Sequence, residues 1–147
     1  MIKLITIFFI VVISTFVNAQ ELKIYSDQLE VNRNEQLSTF TGNVHVIGDQ
    51  FELWSKELLV KTDDTERTIS EILALKDVKI NRENVIAQGQ NATYFPEKNT
   101  LHMRGNVEVT ENNNTIYCEE LFMDIDNSST IMTGNSSDRV EAIIFSN

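Results

Sequence analysis

The stretch LSTFTGNVHVIGDQFELWSKELLV (37–60) returns, slightly shortened, as LHMRGNVEVTENNNTIYCEELFM (101–123). Each copy carries Gly-Asn-Val, an alternating run, a polar turn and a second apolar run. The pattern apolar-x-small-x-x-(Leu/Ala)-x-apolar occurs as IYSDQLEV (24–31), LWSKELLV (53–60), AQGQNATY (87–94) and IYCEELFM (116–123), at steps of 29, 34 and 29 residues. A valine with an apolar residue two places on occurs in GNVHV (42–46), KDVKI (76–80) and GNVEV (105–109), at steps of 34 and 29. Both ladders absorb the same five-residue insertion, around KTDDTERTIS (61–70). Two independent features moving in step define an internal repeat. One such unit cannot close a core. Stacked units bury a continuous apolar interior and leave unpaired strand edges at both ends of the stack.

The units read as strands. Apolar residues alternate at Val44 and Val46, Phe51 and Leu53, Val78 and Ile80, Val85 and Ala87, and Val107 and Val109. Period two is the signature of a half-buried strand. Turn signals separate the runs at 48–49, 81–84, 96–99 and 111–114. One segment, 63–75, is ambiguous: Ile69, Ile72 and Leu73 fit a helical stripe, and a strand after a polar hairpin fits equally well. Leu53 and Leu58 are an odd number of residues apart, so the chain must bend or bulge between them to keep both on one side. Ser26, Ser55, Gly89 and Cys118 are expected to hold that corner. Gly-Asn reads as the expendable part of the motif, because one copy has Lys76-Asp77 instead.

The N-terminal MIKLITIFFIVVISTFVNA has one cation, Lys3, and a 14-residue apolar-rich run from Leu4 to Val17. Val17 and Ala19 are small residues placed for cleavage. Residues 1–19 are expected to be a cleaved signal peptide, and 20–147 one domain. The alternative is a retained anchor, for which the run is short of the roughly 20 residues that span a bilayer. Without Lys3 the formal net charge moves from −10 to −11. That balance opposes nucleic acid, which demands a basic face, and docking on an anionic membrane. Cys118 is the only cysteine, so no internal disulfide forms, and stability must come from burial or self-assembly.

Catalytic chemistry is hard to build here. His45 and His102 are the only histidines, and neither has a nucleophile at a recognisable spacing. Asp124 and Asp126 could bind a cation or act on a glycan, but repetitive β-solenoid glycan lyases need many more coils. No Cys/His metal motif or cofactor signature exists. Cys118 lies in an apolar strand pattern and reads as a small buried residue. Trp54, out of phase with Phe51 and Leu53, shares its place in the repeat with Tyr25 and Tyr117. An aromatic there points to packing on the outer face.

The signal-like leader, IYSDQLEV, STFTGNVHV, ISEILALKDV, TLHMRGNVEV and the closing DRVEAIIF together resemble the OstA-like periplasmic lipopolysaccharide-transport proteins, over essentially all of residues 20–147. The resemblance rests on a diffuse repeat signature. The chain departs from it at Lys76-Asp77 and at Gln88-Gly89. It implies an all-β fold: an open, repetitive β-jelly roll (a β-taco) with an apolar groove. It implies a non-enzymatic, cofactor-free carrier of lipopolysaccharide whose lipid A acyl chains lie in that groove. The implied partners are a second copy of the chain, an LptC-like inner-membrane protein and the N-terminal domain of an LptD-like outer-membrane protein. A membrane-anchored LptC-like role, or a structural β-repeat module with a filled core, is the alternative.

Parity assigns the groove face. Leu22, Ile24, Val44, Val46, Phe51, Leu53, Val78, Ile80, Val85, Ala87, Val107, Val109 and Ile116 form the set before the corners. Leu29, Val31, Leu58, Val60, Tyr94, Leu101, Met103, Leu121 and Met123 form the set beyond them. Under the resemblance, Leu22, Ile24, Val44, Val46, Phe51, Leu53, Val78, Ile80, Ala87, Tyr94, Met103, Val107, Val109, Ile116 and Met123 contact acyl chains. Lys23, Ile24 and Tyr25 in the first strand, and Val140, Ala142, Ile143, Ile144 and Phe145 in the last, offer edges for strand addition by partners.

Overall fold

The computed structural model describes residues 21–65 and 68–146. The expected signal peptide lies outside them. Every regular element among the described residues is a strand. In order they are β1 (Lys23–Tyr25), β2 (Gln28–Asn32), β3 (Leu37–Ile47), β4 (Glu52–Thr62), β5 (Ile69–Arg82), β6 (Val85–Phe95), β7 (Thr100–Glu111), β8 (Asn114–Asp124), β9 (Ser129–Thr133) and β10 (Glu141–Ile143). The ambiguous segment 63–75 is therefore strand from Ile69 onward. Its apolar residues face both sides of the sheet: Ile72 is buried and Leu73 is half-buried beside Leu59.

All ten strands form one antiparallel sheet in the order β1-β3-β4-β5-β6-β7-β8-β10, with β2 also on β3 and β9 also on β8. The sheet is open. β1 and β2 pair successive halves of β3, so they act as one bent strand. β9 and β10 do the same along β8. Each pairing of two long strands shifts register near its middle: at 41/44 in β3, 54/57 in β4, 75/78 in β5, 88/91 in β6 and 104/107 in β7. Bulges bend strands. Aligned across the sheet, these fold it along one crease into two leaves. The upper leaf holds β1 and β10, and the lower leaf holds β2 and β9.

The crease corrects the sequence reading of the corner. Gly42-Asn43, Lys76-Asp77 and Gly105-Asn106 form the bulges, and all six residues have positive φ, from 46° to 87°. Ser55, Gly89 and Cys118 sit one strand over, as register partners of Val44, Val78 and Val107. The repeated element is thus a conformation. Glycine and asparagine reach left-handed φ at little steric cost. The Lys76-Asp77 copy reaches the same conformation and carries two ion pairs, Lys56–Asp77 at 2.7 Å and Lys76–Glu57 at 3.4 Å. The hydrogen bond and charge of Asp77 raise the Lys56 pKa above 10.5. At the N-terminal end, the Asp27 backbone N–H donates to the Gly42 carbonyl, and Asn43 Nδ2 donates to Asp27 Oδ2.

The last strand is shorter than the DRVEAIIF run suggests. Only Glu141–Ile143 is strand, so Ala142 and Ile143 pair with β8 while Val140, Ile144 and Phe145 lie beyond it. β9, over Ser129–Thr133, has no counterpart in the sequence reading.

Candidate functional site

Straight transverse rows cross the sheet, each running through eight strands. The first inner row below the crease is Leu29, Phe40, Leu58, Ala74, Ala92, Met103, Leu121 and Met132. The second inner row above it is Ile24, Val46, Leu53, Ile80, Ala87, Val109, Ile116 and Ala142. Between them, directly above the crease, valine alternates with small side chains: Val44, Ser55, Val78, Gly89, Val107, Cys118. The two leaves meet here. A Cβ on Gly89 would lie 3.3 Å from Met103 Cε and 3.4 Å from Val107 Cγ2, so the small corner residue makes room for a side chain from the opposite leaf.

Burial grades outward from this line. Leu58 and Met103 are 0% exposed and Val44, Val78 and Val107 are 1%. One row out, Leu53, Ile80 and Val109 reach 8%. Leu22, Ile24, Phe51, Val85, Tyr94, Leu101, Met123 and Met132 are only partly buried against the core. The inner face is therefore a trough, sealed at its floor and opening toward its rim. The rows described and the lower second row (Val31, Ser38, Val60, Ile72, Tyr94, Leu101, Met123, Thr130) contain no charged side chain. Among the described residues, every buried side chain is apolar save Ser55, whose hydroxyl donates to the Glu57 carbonyl.

The residues assigned to the groove face all lie on this side. Val44, Val46, Leu53, Val78, Ile80, Ala87, Met103, Val107 and Val109 form its buried part, while Leu22, Ile24, Phe51, Tyr94, Ile116 and Met123 are half-buried. Sequence reasoning missed Phe40, Ile72, Ala74, Ala92 and Met132. Ala92 is too small to stand out, and Ile72 and Ala74 fell in the segment with the helical stripe.

One polar group reaches the lower rim. Tyr94 donates to Asn99 Oδ1 at 2.8 Å, and Asn99 Nδ2 donates to Asp126 Oδ1 at 2.7 Å. The Ile125 N–H donates to the Asn99 carbonyl, tying neighbouring turns together. Burial, then the Asp126 charge, raises the Tyr94 pKa above 10.0. A raised acid pKa in the folded state gives stability that is full below the unfolded value and lost as pH rises through the folded one. Stability is expected to fall as pH rises past the unfolded tyrosine value, about 10. Tyr94→Phe should flatten that part of a urea-midpoint profile; an unchanged profile would exclude Tyr94 as its source.

Outside, the chemistry changes. Tyr25, His45, Trp54 and Lys79 form one row. His45 stacks on Trp54 at 4.9 Å between ring centroids, and Lys79 Nζ lies 5.5 Å from the Trp54 centroid. His45 Nε2 is 2.8 Å from Glu52 Oε2. Trp54 thus has its ring engaged within the protein, as expected of an outer packing residue. His102 is 3.7 Å from Glu120, and Asp124 accepts from Asn127. Among the described residues, neither histidine has a nucleophile positioned beside it. Burial, then Glu119, raises the Cys118 pKa above 9.0, which keeps the thiol protonated at neutral pH.

A trough of this kind has known relatives. Residues 23–129, from the first residue of β1 to the first of β9, match the model of the LptA/(LptD N-terminal domain) LPS transport protein family. The chain belongs to this family. Among solved structures, it is similar to LptH from Pseudomonas aeruginosa, described as the LptA-homologous periplasmic component of the conserved lipopolysaccharide transport device. The two share 16% identity over 86% of this chain and 96% of LptH, with a TM-score of 0.75. That likeness establishes the fold as the open β-jelly roll of the LptA type. No curated protein sequence matches the chain. The family match ends at the first residue of β9.

Proposed function

We propose that this chain is a periplasmic lipopolysaccharide carrier, exported by a cleaved signal peptide, that shields lipid A acyl chains in the trough and bridges the two membranes by edge-to-edge assembly. The observation that carries this reading is the graded inner face: charge-free rows sealed at the crease and opening at the rim, on a sheet that never closes. Each buried acyl methylene is worth about 0.8 kcal/mol, so long chains bind firmly with no charged contact. The net charge of −10 offers no general attraction to phosphates, which suits a cargo whose headgroup stays in water. A wall of similar side chains along its length lets cargo slide without a deep local minimum.

The open edges give the chain somewhere to pass its cargo. A second copy, an LptC-like protein before it and the N-terminal domain of an LptD-like protein after it fit this scheme, because each would extend the sheet by backbone pairing. The chain performs no catalysis in this account. A photoreactive residue at Val46 or Phe51 should give adducts with purified lipopolysaccharide, and one at Trp54 or Tyr117 should not. Adducts confined to Trp54 and Tyr117 would sink the carrier reading.

A further inference from the structure

The chain holds four Asn-x-Ser/Thr triplets: Asn91-Ala92-Thr93, Asn113-Asn114-Thr115, Asn127-Ser128-Ser129 and Asn135-Ser136-Ser137. On an exported protein such a triplet can accept an N-linked glycan when it lies on an accessible turn. The fold separates the four. Asn91 stands inside β6, in register with Leu75 on one side and Arg104 on the other. Asn127 Nδ2 donates to Asp124 Oδ2 at 2.7 Å. Asn135 Oδ1 accepts from the Ser137 N–H, the Ser137 hydroxyl and the Asp138 N–H.

Asn113 differs from these three. It is exposed at the tip of the two-residue turn between β7 and β8, on the upper rim. Both neighbours are tied: Asn84 Nδ2 donates to Asn112 Oδ1 at 3.3 Å, and the Phe145 N–H donates to Asn114 Oδ1 at 3.0 Å. The Asn113 side chain has no partner among the described residues. An amide nitrogen is a weak nucleophile, because resonance delocalises its lone pair into the carbonyl. Glycan transfer therefore requires the carboxamide to turn within the enzyme. The held amides of Asn127 and Asn135 resist that rotation, and Asn113 does not. Thr115 follows in β8, facing outward opposite Thr110. A second feature falls on the same triplet. Glu111, also exposed, lies two residues before Asn113, where the other triplets have Gly89, Ile125 and Thr133. An enzyme that grips a diphosphate-linked sugar donor needs a cationic site, and a carboxylate beside the acceptor is drawn to it.

We infer that Asn113 is an acceptor for an N-linked glycan, with Glu111 and Thr115 as the side chains that an oligosaccharyltransferase reads beside it. The donor is an oligosaccharide carried on a polyisoprenyl diphosphate. Asn113 Nδ2 attacks the anomeric carbon of the first sugar. The bond from that carbon to the phosphate oxygen breaks, the lipid diphosphate leaves with the electron pair, and Nδ2 gives up one proton. The step needs export of the chain, which the carrier reading includes, and nothing else from that reading. Along its first residues β8 lies between β7 and β10, so the turn is one strand in from the free edge. A glycan there projects beyond the rim rather than across an edge.

Purified, folded protein incubated with a bacterial oligosaccharyltransferase and a polyisoprenyl-diphosphate oligosaccharide tests this, the enzyme being first shown active on a short acceptor peptide. Intact mass should rise by one glycan, and peptide mapping should place it on Asn113. N113Q and T115V should stay unmodified, while N91Q, N127Q and N135Q should match the wild type. E111Q should react about tenfold more slowly, and E111D should keep pace with the wild type. An unmodified wild type, a glycan that persists in N113Q, or equal modification of all four triplets would overturn the assignment. Equal rates for E111Q and wild type would overturn the part given to Glu111. No lipopolysaccharide enters the assay, so its failure leaves the carrier reading standing, and failure of lipid crosslinking leaves this one.

Discussion

Gly105→Val should destabilise the protein by about 2–4 kcal/mol, and Lys76→Gly, at the equivalent crease position, should stabilise it by up to about 1 kcal/mol. Gly105 has φ +87°, and a Cβ there would sit 2.5 Å from Gln90 Oε1 and 2.8 Å from Gln90 Cβ. The oxygen can swing away, but the Gln90 Cβ is fixed by its own backbone. A β-branched residue adds the strain of left-handed φ. Lys76 already bears such strain, at φ +67°. Glycine would relieve roughly 1–2 kcal/mol of it, partly offset by the greater entropy of an unfolded glycine. The lost Lys76–Glu57 pair involves a largely exposed amine and weighs little. Urea unfolding at constant m-value checks both. Two variants that destabilise equally would mean that the crease does not depend on left-handed geometry at those positions.

These opposite signs also show where the sequence misleads. Replacement of Gly-Asn by Lys-Asp makes the dipeptide look dispensable, when all three copies adopt one backbone shape. A residue type can vary while its φ does not, because ion pairs to Lys56 and Glu57 accompany the strained copy. The strands themselves were legible, since half-buried β-structure writes period two directly into Val44–Val46, Val78–Ile80 and Val107–Val109. β5 was blurred because Leu73 adds an apolar residue on the outer face beside the inward Ile72, and with Ile69 the run mimics a helical spacing. β9 was hidden because Ile131 and Met132 sit among serines and threonines, and their strand exists through pairing with Phe122 and Leu121. The closing AIIF run overstated its strand for the opposite reason. Apolar content implied burial, and the segment is exposed at an edge.

In the proposed carrier, a carboxylate placed in the trough should abolish much of the capacity for lipid. Leu101 and Met123 are register partners in the lower leaf, half-buried at the rim, so either position can accept a glutamate with the fold intact. Phe122, next in sequence to Met123, points outward and is 43% exposed. An acyl chain that must avoid the new charge leaves at least two methylenes in water. At about 0.8 kcal/mol each, that alone weakens binding about tenfold. A bound chain that stays in place instead leaves a carboxylate desolvated, which costs more.

The decisive measurement is therefore the affinity of purified lipopolysaccharide for Leu101→Glu, Met123→Glu and Phe122→Glu, with the fold of each verified by circular dichroism. A trough that holds acyl chains predicts a loss of tenfold or more for each inward glutamate and less than twofold for Phe122→Glu. Unchanged affinity for Leu101→Glu and Met123→Glu, with a loss at Phe122→Glu, would place the lipid on the outer face and contradict the account.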